Sequence, residues 1–293
     1  MNFAKLVKRF RIEKAHGFRL TDIDPANTCG IDIGKSAAKD MIADGLRRLT
    51  ALQERLYAQN RWALLIVLQG MDASGKDGVV KHVISGLNPQ GCEVHAFRPP
   101  TAEELEHDFL WRAGRRLPAR GRIGIFNRSY YEDVLVVRVR RDLLRHQNLP
   151  PELVTKTIWD DRFKSIRAFE RHLALNGTVV LKFHLRISRD EQLRRLLARL
   201  DEPAKRWKFS MGDVDDRKLW DQYMDAYEDA IRNTATAEAP WYVVPADHKW
   251  FAWLIVSAAT ADAMERLDLK FPVVKGKALA ELERVRRGLA RGR

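Results

Sequence analysis

Apolar residues follow two different patterns along this chain. Between 42 and 56, Ile and Leu recur three or four residues apart, which predicts a helix over 35–60. The next segment, RWALLIVLQ at 61–69, is apolar without alternation, as is typical of a parallel strand buried on both faces. Further short apolar runs predict strands at 92–97, 122–126, 178–187 and 241–245.

Amphipathic segments separate these strands. They predict helices at 76–87, 101–113, 131–146, 152–176, 188–208, 215–234 and 249–267. Two of them begin with an N-terminal capping pattern, Thr101 followed by Glu104 and Ser188 followed by Glu191. Strands that alternate with helices predict an α/β fold, with a five-stranded parallel sheet covered by helices on both faces.

The chain divides into three predicted regions. Residues 1–34 lack clear periodicity and contain turn-rich DIDPANTCG, which indicates an arm on the surface. With the helix that follows, this arm makes up region 1–60, which packs on a core domain at 61–272. The tail, 273–293, is basic and helix-prone.

Composition excludes several classes of protein. The 293 residues include only two cysteines, too few for a disulfide framework or a zinc site. No apolar run approaches the roughly 20 residues of a membrane span, and no signal peptide is apparent, so we expect a cytoplasmic protein. Lys and Arg number 52 against 39 Asp and Glu, a net charge of +13. This excess favours a polyanionic partner: nucleic acid, an anionic membrane or a phosphate-rich substrate.

The loop after the first predicted strand carries a phosphate-binding motif. Gly70 to Asp77 reads GMDASGKD, which is G-x-x-x-x-G-K followed by Asp where Ser or Thr is usual. Glycines let backbone N–H groups approach phosphate, the following helix N-terminus favours anions, and Lys76 adds a cation. Asp77 can bind Mg²⁺ directly or through water. The strand–turn–helix context makes a chance match improbable.

Two further basic regions are candidates for phosphate binding. The third strand ends at Asn127, where P-loop folds usually have Asp, and Arg128 beside it can clamp phosphate; a polar strand end capping the next helix is equally compatible. Residues 112–141 hold nine arginines against two acids. Residues 186–208 hold eight basic residues against four acids, where nucleotide kinases place a lid, although about half could form a solvated helix face. The lid candidates are Arg194, Arg195, Arg199, Lys205, Arg206 and Lys208.

An ordered set of segments resembles the second polyphosphate kinase family over almost the whole chain. The segments are VLQGMDASGKDG (67–78), ISGLNPQG (84–91), EELEHDFLWR (103–112), IGIFNRSYYEDVLVVRV (123–139), RLDEPAKRWKFS (199–210) and APWYVVPADHKWFA (239–252). Asp77 after the P-loop lysine is a feature of that family. Glu132, with Asn127 before it, resembles the subclass that phosphorylates both AMP and ADP.

The resemblance implies a P-loop kinase-like three-layer α/β/α sandwich with a helical lid at about 188–218. It implies reversible, Mg²⁺-dependent phosphoryl transfer from inorganic polyphosphate to AMP or ADP, with Mn²⁺ as a substitute ion. It also implies a homo-oligomer, a dimer or tetramer, that binds neither nucleic acid nor membrane. Polyphosphate carries about one negative charge per phosphate, which would account for the basic excess.

Site roles follow from this reading as expectations. Asp72, Lys76, Asp77, Arg128 and Glu132 are the expected catalytic residues, and Asp72 and Asp77 the expected Mg²⁺ ligands. Nucleotide contacts are expected from Asp72, Arg98, Asn127, Arg128 and Glu132. The expected phosphate and polyphosphate ligands are Gly70, Ala73, Ser74, Gly75, Lys76, Lys81, Arg128, Arg194, Arg195, Arg199 and Lys208.

Two alternatives remain open from the residues alone. An ATP-dependent nucleotide kinase of thymidylate-kinase type would share the loop, strand order and lid, but would not use polyphosphate without ATP. A non-enzymatic nucleic-acid-binding protein would explain the charge of +13 but not the P-loop followed by Asp77. Its binding would weaken steeply as salt rises.

Overall fold

Six strands form one mixed sheet in the computed structural model, which describes residues 3–31 and 35–291. They are β1 Arg11–Ile12, β2 Ala63–Gln69, β3 Cys92–Ala96, β4 Ile123–Asn127, β5 Thr178–Arg186 and β6 Trp241–Pro245. Their order across the sheet is β1-β6-β5-β2-β4-β3, and every neighbouring pair is parallel except β1 with β6. The predicted five-stranded parallel sheet is therefore confirmed, with one short strand added at its edge.

The additional strand comes from the segment predicted as a surface arm. β1 pairs antiparallel with β6, with Arg11 opposite Tyr242, and the side chain of Phe10 is buried in the core. Two residues carry too little alternation to be recognised as a strand in the sequence. Residues 1–2 and 32–34 of the predicted arm lie outside the described residues.

Helices cover both faces of the sheet. They are α1 Phe3–Lys8, α2 Lys35–Gln59, α3 Lys76–Val79, α4 Ala102–Leu105, α5 Trp111–Gly114, α6 Val136–Val139, α7 Ile158–Leu175, α8 Arg189–Asp201, α9 Met211–Lys218, α10 Trp220–Thr234, α11 Lys249–Glu265 and α12 Lys277–Arg291. Successive side chains of β2 face opposite layers: Ile66 packs in the cluster that includes α2 and α11, and Val67 in the cluster that includes α7 and α10. This arrangement confirms the α/β/α sandwich.

Several predicted helices are broken into shorter elements. The segment 131–146 forms a 3-10 turn, α6 and a second 3-10 turn, and 101–113 divides into α4 and α5. Asp108 accepts a hydrogen bond from the N–H of Leu110 at 2.9 Å, a local turn that competes with the helix. The predicted 76–87 helix continues after α3 as a π-helical turn, Val80–Ile84. The 215–234 segment divides between α9 and α10.

Both predicted N-terminal caps are present. Thr101 and Glu104 form a reciprocal capping box at α4, and Ser188 Oγ accepts from the N–H of Glu191 at α8. The tail forms α12, whose described side chains are all exposed. None of the helices in the described ranges combines the length and apolar character needed to cross a membrane.

Candidate active site

The P-loop joins β2 to α3 through left-handed backbone positions. Gly70, Ala73 and Gly75 have φ values of 151°, 64° and 109°, and Gly75 is the N-cap of α3. A Cβ on Gly70 would lie 2.7 Å from Ser74 Oγ and 2.8 Å from the carbonyl oxygen of Leu185. Only glycine fits at this position, because the backbone conformation and the close neighbours both exclude a side chain.

Lys76 lies inside the loop that it follows in the sequence. Its ammonium group donates to the carbonyl oxygens of Gly70 at 2.6 Å and Met71 at 3.1 Å. Burial, and then the charge of Arg128, lower the pKa of Lys76 to about 8, whereas Asp72, Glu132 and Asp77 act in the opposite direction. These expected catalytic groups therefore surround one ammonium, close enough to influence its charge.

Arg128 connects the end of β4 to the P-loop. Its guanidinium donates to Asp72 Oδ1 at 2.5 Å and to Glu132 Oε2 at 2.9 Å. Glu132 and Asp72 raise the pKa of Arg128 despite its burial. Burial opposes ionisation of Asp72, but Lys76 and Arg128 outweigh it and keep its pKa below the ordinary value. Asp72 is thus an anion held between two cations.

Asn127 and Asp77 meet beside this cluster. The Asn127 amide donates to Asp77 Oδ1 at 2.8 Å, so the strand end and the first turn of α3 are directly joined. Asp72 and Asp77 supply the hard carboxylate oxygens that Mg²⁺ prefers, and the chemistry of this pair fits the ion. In the described ranges, no three His, Cys, Asp or Glu side chains are grouped to hold a metal alone. Further ligands would have to come from phosphate and water.

The expected lid residues occupy different environments. Arg199 donates to Asp213 at 3.1 Å and lies near enough to Asp72 to lower its pKa. Arg195 is buried against the P-loop and donates to the carbonyl oxygens of Ala73 and Ser74. Five other expected residues are exposed: Arg194, Lys205, Arg206, Lys208 and, after α3, Lys81. Arg194 is paired with Glu191. The structure thus brings Arg195 and Arg199 to the phosphate loop and leaves the others on the surface.

A cleft of about 900 Å³ opens beside the P-loop and Arg128. Four of the five residues expected to contact nucleotide line it: Asp72, Arg98, Arg128 and Glu132. Asp213 of α9 also lines it. This residue was not predicted, because it is one of three aspartates in a polar segment, with Asp215 and Asp216, and belongs to no motif. Burial and the neighbouring Asp72 raise the pKa of Asp213 to about 6. The cleft is large enough for a nucleotide.

A buried polar network supports the turn after β4. Glu170 of α7 accepts from Tyr130 and Tyr131, both at 2.9 Å, and from Lys182 of β5 at 2.6 Å. Lys182 also donates to the carbonyl oxygen of Thr234 at 2.7 Å. The two tyrosines stand between Arg128 and Glu132 in the chain, so the network anchors the turn that carries both. The network could not be predicted from the sequence, because its members lie far apart in the chain and form no motif.

The arginine-rich segment 112–141 is largely neutralised by carboxylates from outside it. Besides Arg128, five of its arginines form such pairs: Arg112–Glu104, Arg115–Glu103, Arg122–Glu93, Arg138–Asp229 and Arg140–Asp216. Arg128 differs because it has two carboxylate partners, Glu132 and Asp72 of the P-loop. The charge that matters for chemistry is therefore more local than the sequence count suggests.

Comparison with known proteins agrees with this geometry. The family model "Polyphosphate kinase 2 (PPK2)" matches residues 33–272. The chain belongs to the polyphosphate kinase 2 family. It is 48% identical over 287 residues to an "ADP-polyphosphate phosphotransferase" of Rhodopseudomonas palustris, covering 96% of this chain and 98% of that protein.

Other members of the family support the same assignment. An "AMP/ADP-polyphosphate phosphotransferase" of Meiothermus ruber is 47% identical over 266 residues, covering 91% of this chain and 96% of that protein. The crystal structure of polyphosphate kinase 2 from Arthrobacter aurescens superposes with a TM-score of 0.86 at 41% identity, with 96% of each chain covered. The resemblance of the sequence to polyphosphate kinase 2 and the expected kinase-like fold are both confirmed.

Proposed function

We propose that this protein transfers a phosphoryl group from inorganic polyphosphate to AMP or ADP, and that the transfer is reversible. The observation that carries the proposal is the convergence of Lys76 and Arg128 at one P-loop, in a chain of the polyphosphate kinase 2 family. The relatives named above are polyphosphate phosphotransferases of ADP or of AMP and ADP. The names of these relatives do not favour the two alternatives, an ATP-dependent nucleotide kinase and a nucleic-acid-binding protein.

The residues of the chain perform positioning and charge stabilisation. Phosphoryl transfer requires little covalent chemistry from a protein, and an acceptor phosphate oxygen is already anionic at neutral pH. We assign Lys76, Arg128 and the P-loop N–H groups to the phosphoryl group in transfer. The lid would exclude water, which competes as an acceptor. Nucleotide binding belongs to the cleft that Arg98 and Glu132 line.

Asp72 and Asp77 would hold Mg²⁺, for which Mn²⁺ can substitute. The bound ion would neutralise phosphate charge that these carboxylates would otherwise repel. We expect Asp77→Asn to raise the Mg²⁺ concentration needed for half-maximal activity, because one hard anionic ligand becomes a neutral amide. A titration of initial rate against Mg²⁺ measures this, with the exposed Asp215→Asn as control. Unchanged metal dependence, or full activity in excess chelator, would refute the role of Asp77.

Glu132 is proposed to set the acceptor range. AMP and ADP differ by one phosphate, so an enzyme that accepts both must place the acceptor phosphate at two depths. Glu132 lines the cleft and pairs with Arg128, so it lies where such adjustment is needed. The alternative is that Glu132 only stabilises the first turn of the 3-10 helix Tyr130–Val134, worth about 0.3–1 kcal/mol.

We therefore expect Glu132→Gln to lower kcat/KM for AMP more than for ADP, with little change in thermal stability. The glutamine keeps the shape and a hydrogen-bond acceptor for Arg128 but removes the charge. Parallel measurements of kcat/KM with both acceptors distinguish the two roles. Equal losses for AMP and ADP, or a lower Tm without a change in the ratio, would support the helix-capping role instead.

The acceptor panel tests the proposed function. Purified protein is incubated with Mg²⁺, long-chain polyphosphate and each of AMP, ADP, GMP and GDP, and the products are resolved by chromatography. We expect phosphorylation of AMP and ADP. The absence of a phosphorylated product with every acceptor would contradict the proposal.

We also propose that the protein is cytoplasmic and forms a homo-oligomer, a dimer or tetramer. Light scattering would measure the mass of the oligomer.

A further inference from the structure

Two buried side chains of α8 donate to consecutive carbonyl groups of the P-loop. Gln192 Nε2 donates to the carbonyl oxygen of Asp72 at 3.1 Å. Arg195, one helical turn later, donates through Nη1 to the carbonyl oxygens of Ala73 at 3.0 Å and Ser74 at 3.1 Å. Gln192 is 0% exposed and Arg195 7% exposed. Residues three apart share a helix face, so one face of α8 holds three successive peptide groups.

The remaining N–H groups of Arg195 also have protein partners. Nη2 donates to the carbonyl oxygens of Ala246 at 2.6 Å and Asp247 at 2.9 Å, in the segment after β6. Nε donates to Glu191 at 2.7 Å. A guanidinium has five N–H donors, and these contacts use all of them. Arg195 therefore joins α8, the P-loop and the end of β6, and has no donor left for a polyphosphate oxygen.

The consequence for the phosphate site follows from peptide geometry. In a planar trans peptide, the carbonyl of one residue and the N–H of the next point in opposite directions. When the carbonyls of Asp72 and Ser74 are held towards α8, the N–H groups of Ala73 and Gly75 point to the other side of the loop. The N–H of Ser74 instead closes the turn by donating to Met71 at 3.1 Å.

We propose that Arg195 and Gln192 are positioning residues that orient the P-loop N–H groups towards the phosphate being transferred. This proposal rests on the proposed function and gives Arg195 a different role from the polyphosphate ligand expected from sequence. Arg194, its neighbour, is 68% exposed at the side chain and among the pairs described contacts only the carboxylate of Glu191, which also accepts from Arg195. The two adjacent arginines should therefore have different kinetic signatures.

The test compares lysine and methionine at each position. A lysine keeps the positive charge but cannot reproduce a planar fork that spans two loops. We expect Arg195→Lys and Arg195→Met to lower kcat by about 10- to 100-fold, with KM for polyphosphate within about twofold of the wild type. Arg194→Met should raise KM for polyphosphate with a smaller change in kcat, and Arg194→Lys should restore it. Arg189→Met, exposed at the start of α8, is the control for helix perturbation.

Two results would overturn the proposal: wild-type kcat in Arg195→Lys, or a change confined to KM for polyphosphate in either Arg195 variant. If both variants fail to fold, Gln192→Met removes one hydrogen bond from the loop and should lower kcat severalfold at unchanged KM. An unchanged kcat in that variant would also overturn it. A wild-type protein inactive with polyphosphate would instead indicate failure of the proposed function.

Discussion

Replacement of Lys76 by alanine is expected to lower kcat about a thousandfold, a loss of about 4 kcal/mol in transition-state stabilisation. The ammonium group is held over the P-loop by two carbonyl oxygens and is surrounded by the charged groups of the site. Among the described residues, no other lysine donates to carbonyl oxygens of the P-loop, so none can replace Lys76. The measurement is kcat with saturating polyphosphate and ADP.

The fold should survive this substitution. The pKa of Lys76 falls to about 8 in the folded protein, so the fold disfavours its charge and does not depend on it. Lys76→Met is the matched variant, because it keeps the apolar stem and removes only the ammonium. Both variants should unfold near the wild-type Tm. Activity within about tenfold of the wild type in a folded Lys76→Met would contradict the P-loop assignment.

Arg128→Lys is expected to lower kcat/KM by about 100-fold or more, although it keeps the positive charge. The guanidinium donates to Asp72 and Glu132 through separate nitrogens of one planar fork. The compact ammonium of a lysine does not reproduce this fork, so we expect it to lose one of the two contacts. The carboxylate left unpaired would then repel the incoming phosphate. Arg128 also has a φ of 63°, a left-handed backbone conformation that residues other than glycine rarely adopt.

The control for Arg128 is Arg138→Lys. Arg138 pairs with Asp229, outside the cleft, and should tolerate lysine with little change in activity. Both variants are compared by kcat/KM and by thermal unfolding. If Arg128→Lys and Arg138→Lys had equal kcat/KM, the bidentate role of Arg128 would be wrong.

Regular patterns explain which parts of this molecule could be predicted. β2 and β6 are buried along their whole length and have continuous apolar runs, so they begin and end within two residues of the prediction. The P-loop is local in sequence, and its Gly-containing spacing alone places Lys76 at the start of α3. Asn127 and Arg128 follow from the rule that parallel strands end at one edge of the sheet.

Features that depend on distant partners could not be predicted. The helix expected at 131–146 is broken, and within it Arg162 of α7 donates to the backbone carbonyl oxygen of Asp133 at 2.7 Å, a bond that competes with an intrahelical one. Adjacent Arg194 and Arg195 are equivalent in the sequence, but α8 turns one outward and packs the other against the P-loop. Asp213 reaches the cleft only because α9 folds back over it. Hydrophobic periodicity indicates which face of a helix a residue lies on, but not which distant residue it contacts.

The most direct measurement is ATP formation from ADP with polyphosphate as the sole donor. The purified protein, freed of bound nucleotide, is incubated with Mg²⁺, ADP and long-chain polyphosphate, and AMP, ADP and ATP are quantified by chromatography over time. We expect ATP to appear as ADP disappears, initially without AMP, and no ATP to form when polyphosphate is omitted. ATP formed together with an equal amount of AMP and independently of polyphosphate would instead show transfer between nucleotides, and would contradict polyphosphate as the phosphoryl donor.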